Sequence, residues 1–90
     1  MFNNARRGAD MAIEIERLKP LLGRKGTSRS THYAEIAAGL WPLGVRLGRR
    51  AVGWPRHEND AMLAARVAGK SESEILELVS RLTRSRKSAA

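Results

Sequence analysis

Glycine and proline punctuate this chain so closely that only short helices and one tight hairpin fit between them. Gly23 and Gly26 bracket Arg24 and Lys25, Gly39 and Pro42 follow, Gly44 and Gly48 suit turns, and Pro55 and Gly69 frame a last internal segment. Ahead of the first break, Ile13, Ile15 and Leu18 alternate with Glu14 and Glu16, the pattern of a short half-buried strand with its isoleucines inward. Lys19 to Arg24 forms one short helix, Pro20 being tolerated in its first turn. Ser28 is placed to cap a second helix that runs to Ala38 and stops at Gly39. His32 with Ile36, and Tyr33 with Leu40, give that helix two neighbouring inward stripes; Thr31, Ala34, Glu35 and Ala38 mark its outer side.

Val45-Arg46-Leu47, the turn Gly48-Arg49-Arg50 and Ala51-Val52-Gly53-Trp54 read as a β-hairpin with arginines at its tip. After Pro55 a third helix runs to about Ala68, with Met62 and Ala65 inward. Ser71 and Glu74 are spaced as a capping box, and Ile75, Leu78, Val79 and Leu82 form the stripe of an amphipathic helix behind it. The order is strand, helix, turn, helix, hairpin, helix, helix. That is a mainly α fold with a small β-hairpin wing, a winged helix-turn-helix with an extra C-terminal helix. We expect a flexible arm at 1–12, the DNA-binding domain at 13–69, the amphipathic helix at 70–84 and a basic tail at 85–90.

The chain has 90 residues, no cysteine and a net charge of +8. Ninety residues make one compact domain, and without cysteine no disulfide or thiolate metal site stabilises it. The apolar runs are too short for a membrane span or a signal peptide, so a soluble, cytoplasmic protein is expected. The charge is unevenly spread. Residues 19–56 hold eight bases (Lys19, Arg24, Lys25, Arg29, Arg46, Arg49, Arg50, Arg56) against Glu35 alone, whereas residues 57–80 hold two bases and five acids. A basic middle beside an acidic segment favours a polyanionic partner at the middle. His32 and His57 lack carboxylates at ligand spacing, and no paired carboxylates, Ser/His/Asp set or phosphate loop occurs at usable spacing. We therefore expect no metal, no cofactor, no small-molecule substrate and no catalysis.

The segments Gly26-Thr27-Ser28-Arg29-Ser30-Thr31-His32-Tyr33, Gly39-Leu40-Trp41-Pro42 and Val45-Arg46-Leu47-Gly48-Arg49-Arg50-Ala51-Val52-Gly53-Trp54 resemble the AlpA family over roughly residues 15–68. These are phage and mobile-element regulators with a MerR-like winged helix, related to excisionases. The resemblance implies a recognition helix at 28–38 in the major groove and the hairpin as a wing on the minor groove or backbone. It also implies action as a recombination directionality factor that binds side by side and bends DNA, or as a transcriptional activator of integrase or excision genes. An integrase or recombinase is then a further partner. Thr27 stands where the family has an aliphatic residue, His32 where it has Leu or Ile, and Met62 where an aromatic is common. The helix after Ser71 lies beyond the resemblance.

Double-stranded DNA is the expected partner. Arg29, Ser30 and Thr31 fill the first turn of the recognition helix behind Ser28, and arginine and hydroxyl donors suit phosphate oxygens and base edges. Arg46, Arg49 and Arg50 arm the wing, and Lys25 and Arg56 are further phosphate contacts. Tyr33 either packs in the core or offers its hydroxyl to a phosphate. Trp41 and Trp54 belong to the core, and His32 is expected partly buried with a backbone partner. Ser71 onward has three readings: packing on its own domain, joining a neighbouring protomer, or clamping DNA through its basic end. Glu58 and Asp60, with Ile75, Leu78, Val79 and Leu82, are the candidate protein-interaction residues, and a head-to-tail contact between protomers pairs the acidic segment with the basic half. The reading from another class is an adaptor that uses the Ile75 to Leu82 stripe and no DNA.

Overall fold

A computed structural model describes residues 13–88. Its elements are β1 (Ile15–Arg17), α1 (Leu18–Lys25), α2 (Arg29–Ala37), β2 (Val45–Arg46), β3 (Val52–Pro55), α3 (Arg56–Val67) and α4 (Glu72–Ser88). The expected arm at 1–12 and the last two residues of the tail lie outside the described residues. The order is the one read from the sequence, and the architecture is a winged helix-turn-helix: α1 and α2 joined by a tight turn, with the β2–β3 hairpin beside them. Gly26 takes the left-handed conformation (φ 67°) that ends α1, and its N–H donates to the Leu22 carbonyl. The Ser28 hydroxyl accepts from the Thr31 N–H at 3.2 Å and starts α2.

Leu21, Trp41, Trp54, Met62, Ala65 and Ile75 form the core, and Leu18, Ile36, Leu40, Leu63, Leu78, Val79 and Leu82 pack around it. Both tryptophans are buried, and Trp54 donates its indole N–H to the Pro42 carbonyl at 3.0 Å. That bond ties the returning wing strand to the loop after α2 and fixes the wing against the helix-turn-helix.

The sheet has three strands in the order β1-β3-β2, all antiparallel, because β1 adds to the outer side of the hairpin with Glu16 opposite Trp54. Its register reverses the expected one. Glu16 points into the protein and is 9% exposed, whereas Ile15 is 40% exposed and Ile13 60%. The reason is a polar cluster. Arg24 grips both Glu16 carboxylate oxygens at 3.0 Å, and Asn59 donates to Glu16 Oε1 at 2.9 Å. A buried carboxylate with three such bonds is satisfied where it lies, so hydrophobic alternation does not decide the face. Arg24 also reaches Asp60 at 2.8 Å, so β1, α1 and α3 meet on this cluster.

Gly44 and Gly48, expected for turn geometry, do not take positive φ. Gly44 is needed instead for space: a Cβ there would lie 2.4 Å from Val52 and about 3 Å from the Trp54 ring.

The capping box forms as read, with Ser71 N–H donating to Glu74 Oε1 at 2.9 Å and Glu74 N–H to Ser71 Oγ at 3.2 Å. The bond from the Ser71 N–H and, after it, the Ser71 side chain hold the Glu74 carboxyl below its usual range. Past the expected end at 84, α4 continues to Ser88. Arg86 explains the extra turn, since its guanidinium holds Glu58 at 2.9 and 2.7 Å and donates to the Leu43 carbonyl at 2.8 Å.

Candidate nucleic-acid interface

Two sets of cations separate in this structure. The first set is consumed internally. Arg24 binds Glu16 and Asp60; Arg66 binds Glu35 at 3.0 Å and the Leu40 carbonyl at 3.1 Å; Arg86 binds Glu58. Lys25 belongs here too, which corrects its expected role at a phosphate. Its side chain is only 2% exposed. The ammonium donates to Glu35 at 2.6 Å and to His32 Nδ1 at 2.7 Å, and lies 3.8 Å from the centre of the Trp41 ring. Burial pushes the Lys25 pKa down against the pull of Glu35. Burial pushes the Glu35 carboxyl up, but the bonds from Lys25 and Arg66 outweigh it and hold it low. Glu35 therefore leaves the outer side of α2, where its spacing had put it.

His32 is fully buried, deeper than expected, and its partner is the Lys25 side chain rather than backbone. Burial and the neighbouring Lys25 charge lower its pKa to about 4, so the ring is neutral near pH 7. Because Nδ1 accepts from Lys25, the proton sits on Nε2, which has no oxygen or nitrogen partner among the described residues. Around it lie the rings of Trp54, Tyr33 and Trp41, with centroids at 4.9, 5.4 and 6.1 Å.

The second set of cations is exposed, and apart from Lys70, Arg81, Arg84 and Lys87 at and along α4 it lies on or beside α2 and the wing or, for Arg56, at the start of α3. Arg29, Ser30 and Thr31 stand in the first turn of α2, with Ser28 capping it. Ala34, Ala37 and Ala38 continue the exposed face as small side chains, which lets the helix approach another surface closely. Arg46, Arg49 and Arg50 are exposed on the wing, where Arg46 reaches only the Arg49 carbonyl, at 3.5 Å. Among the described residues none of Arg29, Arg46, Arg49 and Arg50 has a carboxylate partner.

Between α2 and the wing runs an open groove of about 460 Å³, lined by Arg17, Leu18, Lys19, Arg29, Tyr33, Arg50, Val52 and Trp54. Tyr33 is 42% exposed there, its ring edge-on to Trp54 and 5.9 Å from the Arg29 guanidinium, so it serves both the core and the groove. Arg17 and Lys19 were not among the expected site residues. They reach this groove only because β1 pairs with β3, which sets Arg17 opposite Gly53. No local sequence signal announces that pairing.

Arg56 is not brought to the groove. It starts α3 at the other end of β3, 4.0 Å from Glu14 and near His57 and Asp60. The expected interaction residues are also redistributed. Glu58 is 1% exposed and held by Arg86, while Ile75 is core and Leu78, Val79 and Leu82 pack on it, so the stripe closes this domain rather than facing a partner. Asp60 keeps an exposed side chain beside Arg24. No helix of the described residues is long and apolar enough to cross a membrane.

The sequence profile described as "Prophage CP4-57 regulatory protein (AlpA)" matches residues 15–67, from β1 through the end of α3. No curated protein and no solved structure matches the chain. The matched region holds the helix-turn-helix, the wing and every exposed cation of the groove, and the chain belongs to the AlpA family of phage-related DNA-binding regulators.

Proposed function

We propose that the protein binds double-stranded DNA with α2 in the major groove and the wing on the adjacent backbone or minor groove. It acts there as an excisionase-type architectural factor, which bends DNA to direct excision of a mobile element. The observation that carries this reading is the segregation of charge. Arg29, Arg46, Arg49 and Arg50 stand exposed on α2 and the wing with no carboxylate partner among the described residues and no acid beside them in the groove, while Arg24, Lys25, Arg66 and Arg86 are neutralised within the fold; Lys70, Arg81, Arg84 and Lys87 are exposed as well, at and along α4. Phosphate neutralisation by the exposed set supplies most of the affinity, and a few base contacts and DNA deformability supply preference. A bend over 20–30 base pairs costs roughly 1–6 kcal/mol, which protomers bound side by side offset together.

A transcriptional activator of integrase or excision genes uses the same surface, with a recombinase as partner in one role and a promoter as target in the other. The adaptor reading loses its surface, because the Ile75 to Leu82 stripe is packed on the core.

Gel-shift titration on DNA from the protein's own genetic neighbourhood, with circularly permuted probes, separates the roles. A ladder of cooperative, bent complexes at an integrase attachment site supports the excisionase, and a single unbent complex at a promoter supports the activator. Replacing Arg49 and Arg50 by alanine should weaken binding and flatten its salt dependence by about 0.9 in log–log slope per lost contact. Unchanged binding in that variant would remove the wing from the interface.

A further inference from the structure

We infer that the groove between β1, α1, α2 and the wing seats one sugar-phosphate strand of duplex DNA, with Arg17 and Lys19 as phosphate contacts outside both the recognition helix and the wing. The inference rests on the DNA-binding reading above and adds which part of the duplex enters this groove and what holds it.

The lining divides by chemistry. Arg17 comes from β1, Lys19 from α1, Arg29 from α2 and Arg50 from the turn of the wing, so four cations from four separate segments border one groove. No acid lines it. The rest of the lining is less polar: Leu18, Tyr33 and Val52, with the buried Trp54 behind them. A DNA strand offers both chemistries, one anionic phosphate every 3.4 Å or so along the axis with a deoxyribose between. A single small anion would leave most of these cations unused, whereas a strand uses them in succession.

Arg17 is already oriented for this work. Its Nε donates to the Val52 carbonyl at 3.1 Å, which fixes the guanidinium plane against β3 and leaves both terminal nitrogens for an oxygen acceptor. The same bond joins β1 to the wing strand, so a strand held by Arg17 is held in a fixed relation to Arg50. Lys19 is exposed and has no carboxylate partner among the described residues, so it meets a phosphate without breaking anything first. In this seat the helix-turn-helix and the wing grip the same strand from its two sides.

Lys19→Gln is the cleanest test because the Lys19 side chain is exposed and makes no ion pair among the described residues. Binding to a fluorescein-labelled, mixed-sequence duplex of about two helical turns is followed by anisotropy at a series of salt concentrations. Lys19→Gln should reduce the log–log salt slope by about 0.9, and the double variant with Arg50→Gln by about 1.8. Lys70→Gln, an exposed lysine outside the groove, should leave the slope unchanged. Arg17→Lys should bind less tightly than the unaltered protein with its slope kept, because one ammonium retains the charge but cannot bond Val52 and a phosphate together in one plane. Circular dichroism of each variant checks that the fold is intact. If the unaltered protein binds with a steep slope and Lys19→Gln keeps that slope, the strand seat is wrong and DNA binding through α2 and the wing still stands. If the unaltered protein shows no salt-sensitive binding, both readings fall.

Discussion

Two cations lie against one ring at Trp41, the Lys25 ammonium 3.8 Å and the Arg66 guanidinium 5.0 Å from its centre, and Glu35 bonds both of them. His32 sits beside this group with a pKa near 4, depressed by burial and by Lys25. Between pH 4 and 6.5 the unfolded chain binds a proton that folded His32 refuses, so its contribution is complete above pH 6.5 and is lost as pH falls toward 4. The full effect is on the order of 3 kcal/mol, by the conversion of about 1.4 kcal/mol per pKa unit. Glu35, whose pKa is also depressed, loses its contribution in the same direction but below its ordinary 4.5. Urea midpoints should therefore drop steeply from pH 7 to pH 5 in the unaltered protein and stay level in His32→Leu. A level profile in both would remove His32 as the cause. A second residue-scale expectation concerns Gly53, where an added Cβ would lie 2.3 Å from Ile15 Cγ2 and 3.0 Å from Leu47 Cδ1. The Ile15 contact is at the root of a β-branched side chain on the paired strand, so it cannot swing away, and Gly53→Ala should cost about 1–3 kcal/mol in thermal or urea unfolding. The burial of His32 was legible in part from the residues alone, but its Lys25 partner and the crowding at Gly53 were not. A basic lysine such as Lys25 counts toward net charge whether it faces solvent or a tryptophan ring, and only packing tells the two apart.

Helix α4 was readable and its destination was not. The capping box and the Ile75 to Leu82 spacing located its start and its apolar stripe, because both are local patterns with fixed periods. What the stripe covers is a tertiary fact, and Arg86 at the far end decides it by joining Glu58 of α3 to the Leu43 carbonyl. Removing Arg86 leaves a carboxylate that is 1% exposed without its counter-ion. Arg86→Ala should cost about 3–5 kcal/mol, and a double variant with Glu58→Gln should recover much of that loss. Unfolding curves of the single and double variants measure the coupling, and equal stabilities would mean that α4 docks without this pair. Strand β1 failed in the opposite way. Its alternation was genuine but was read onto the wrong face, since the partners that make Glu16 acceptable inside are Arg24 and Asn59, the latter 43 residues after Glu16. The same non-local pairing carried Arg17 and Lys19 to the groove, so the part of the candidate site that lies on α2 and the wing could be proposed from the sequence and the part on β1 and α1 could not.

For the molecule as a whole, counting charges by segment gave the right asymmetry and the wrong owners. Of the acids in the described residues, Glu16 and Glu58 are buried, Glu35 and Asp60 are paired, Glu14 stands by Arg56 and Glu74 caps α4. Glu72 and Glu77, both exposed on the first half of α4, are the acids left with neither an ion pair nor a capping role among the described residues. If protomers assemble side by side on DNA as proposed, a head-to-tail contact has this stretch of α4 to offer against the exposed arginines of a neighbour, and Glu58 has no part in it. Exposed pairs are each worth no more than about 1 kcal/mol in water, so such a contact is too weak to assemble protomers in free solution. On DNA the duplex raises the effective concentration of neighbours, and the same small energy becomes visible as cooperativity. Replacing Glu72 and Glu77 by lysine should therefore leave the free protein's melting temperature nearly unchanged and keep, or slightly strengthen, binding to a duplex that holds a single protomer. On a duplex long enough for several protomers the stepwise ladder should lose its cooperativity, with singly bound complexes accumulating before the higher ones. A ladder as cooperative as that of the unaltered protein would show that neighbours do not meet through α4.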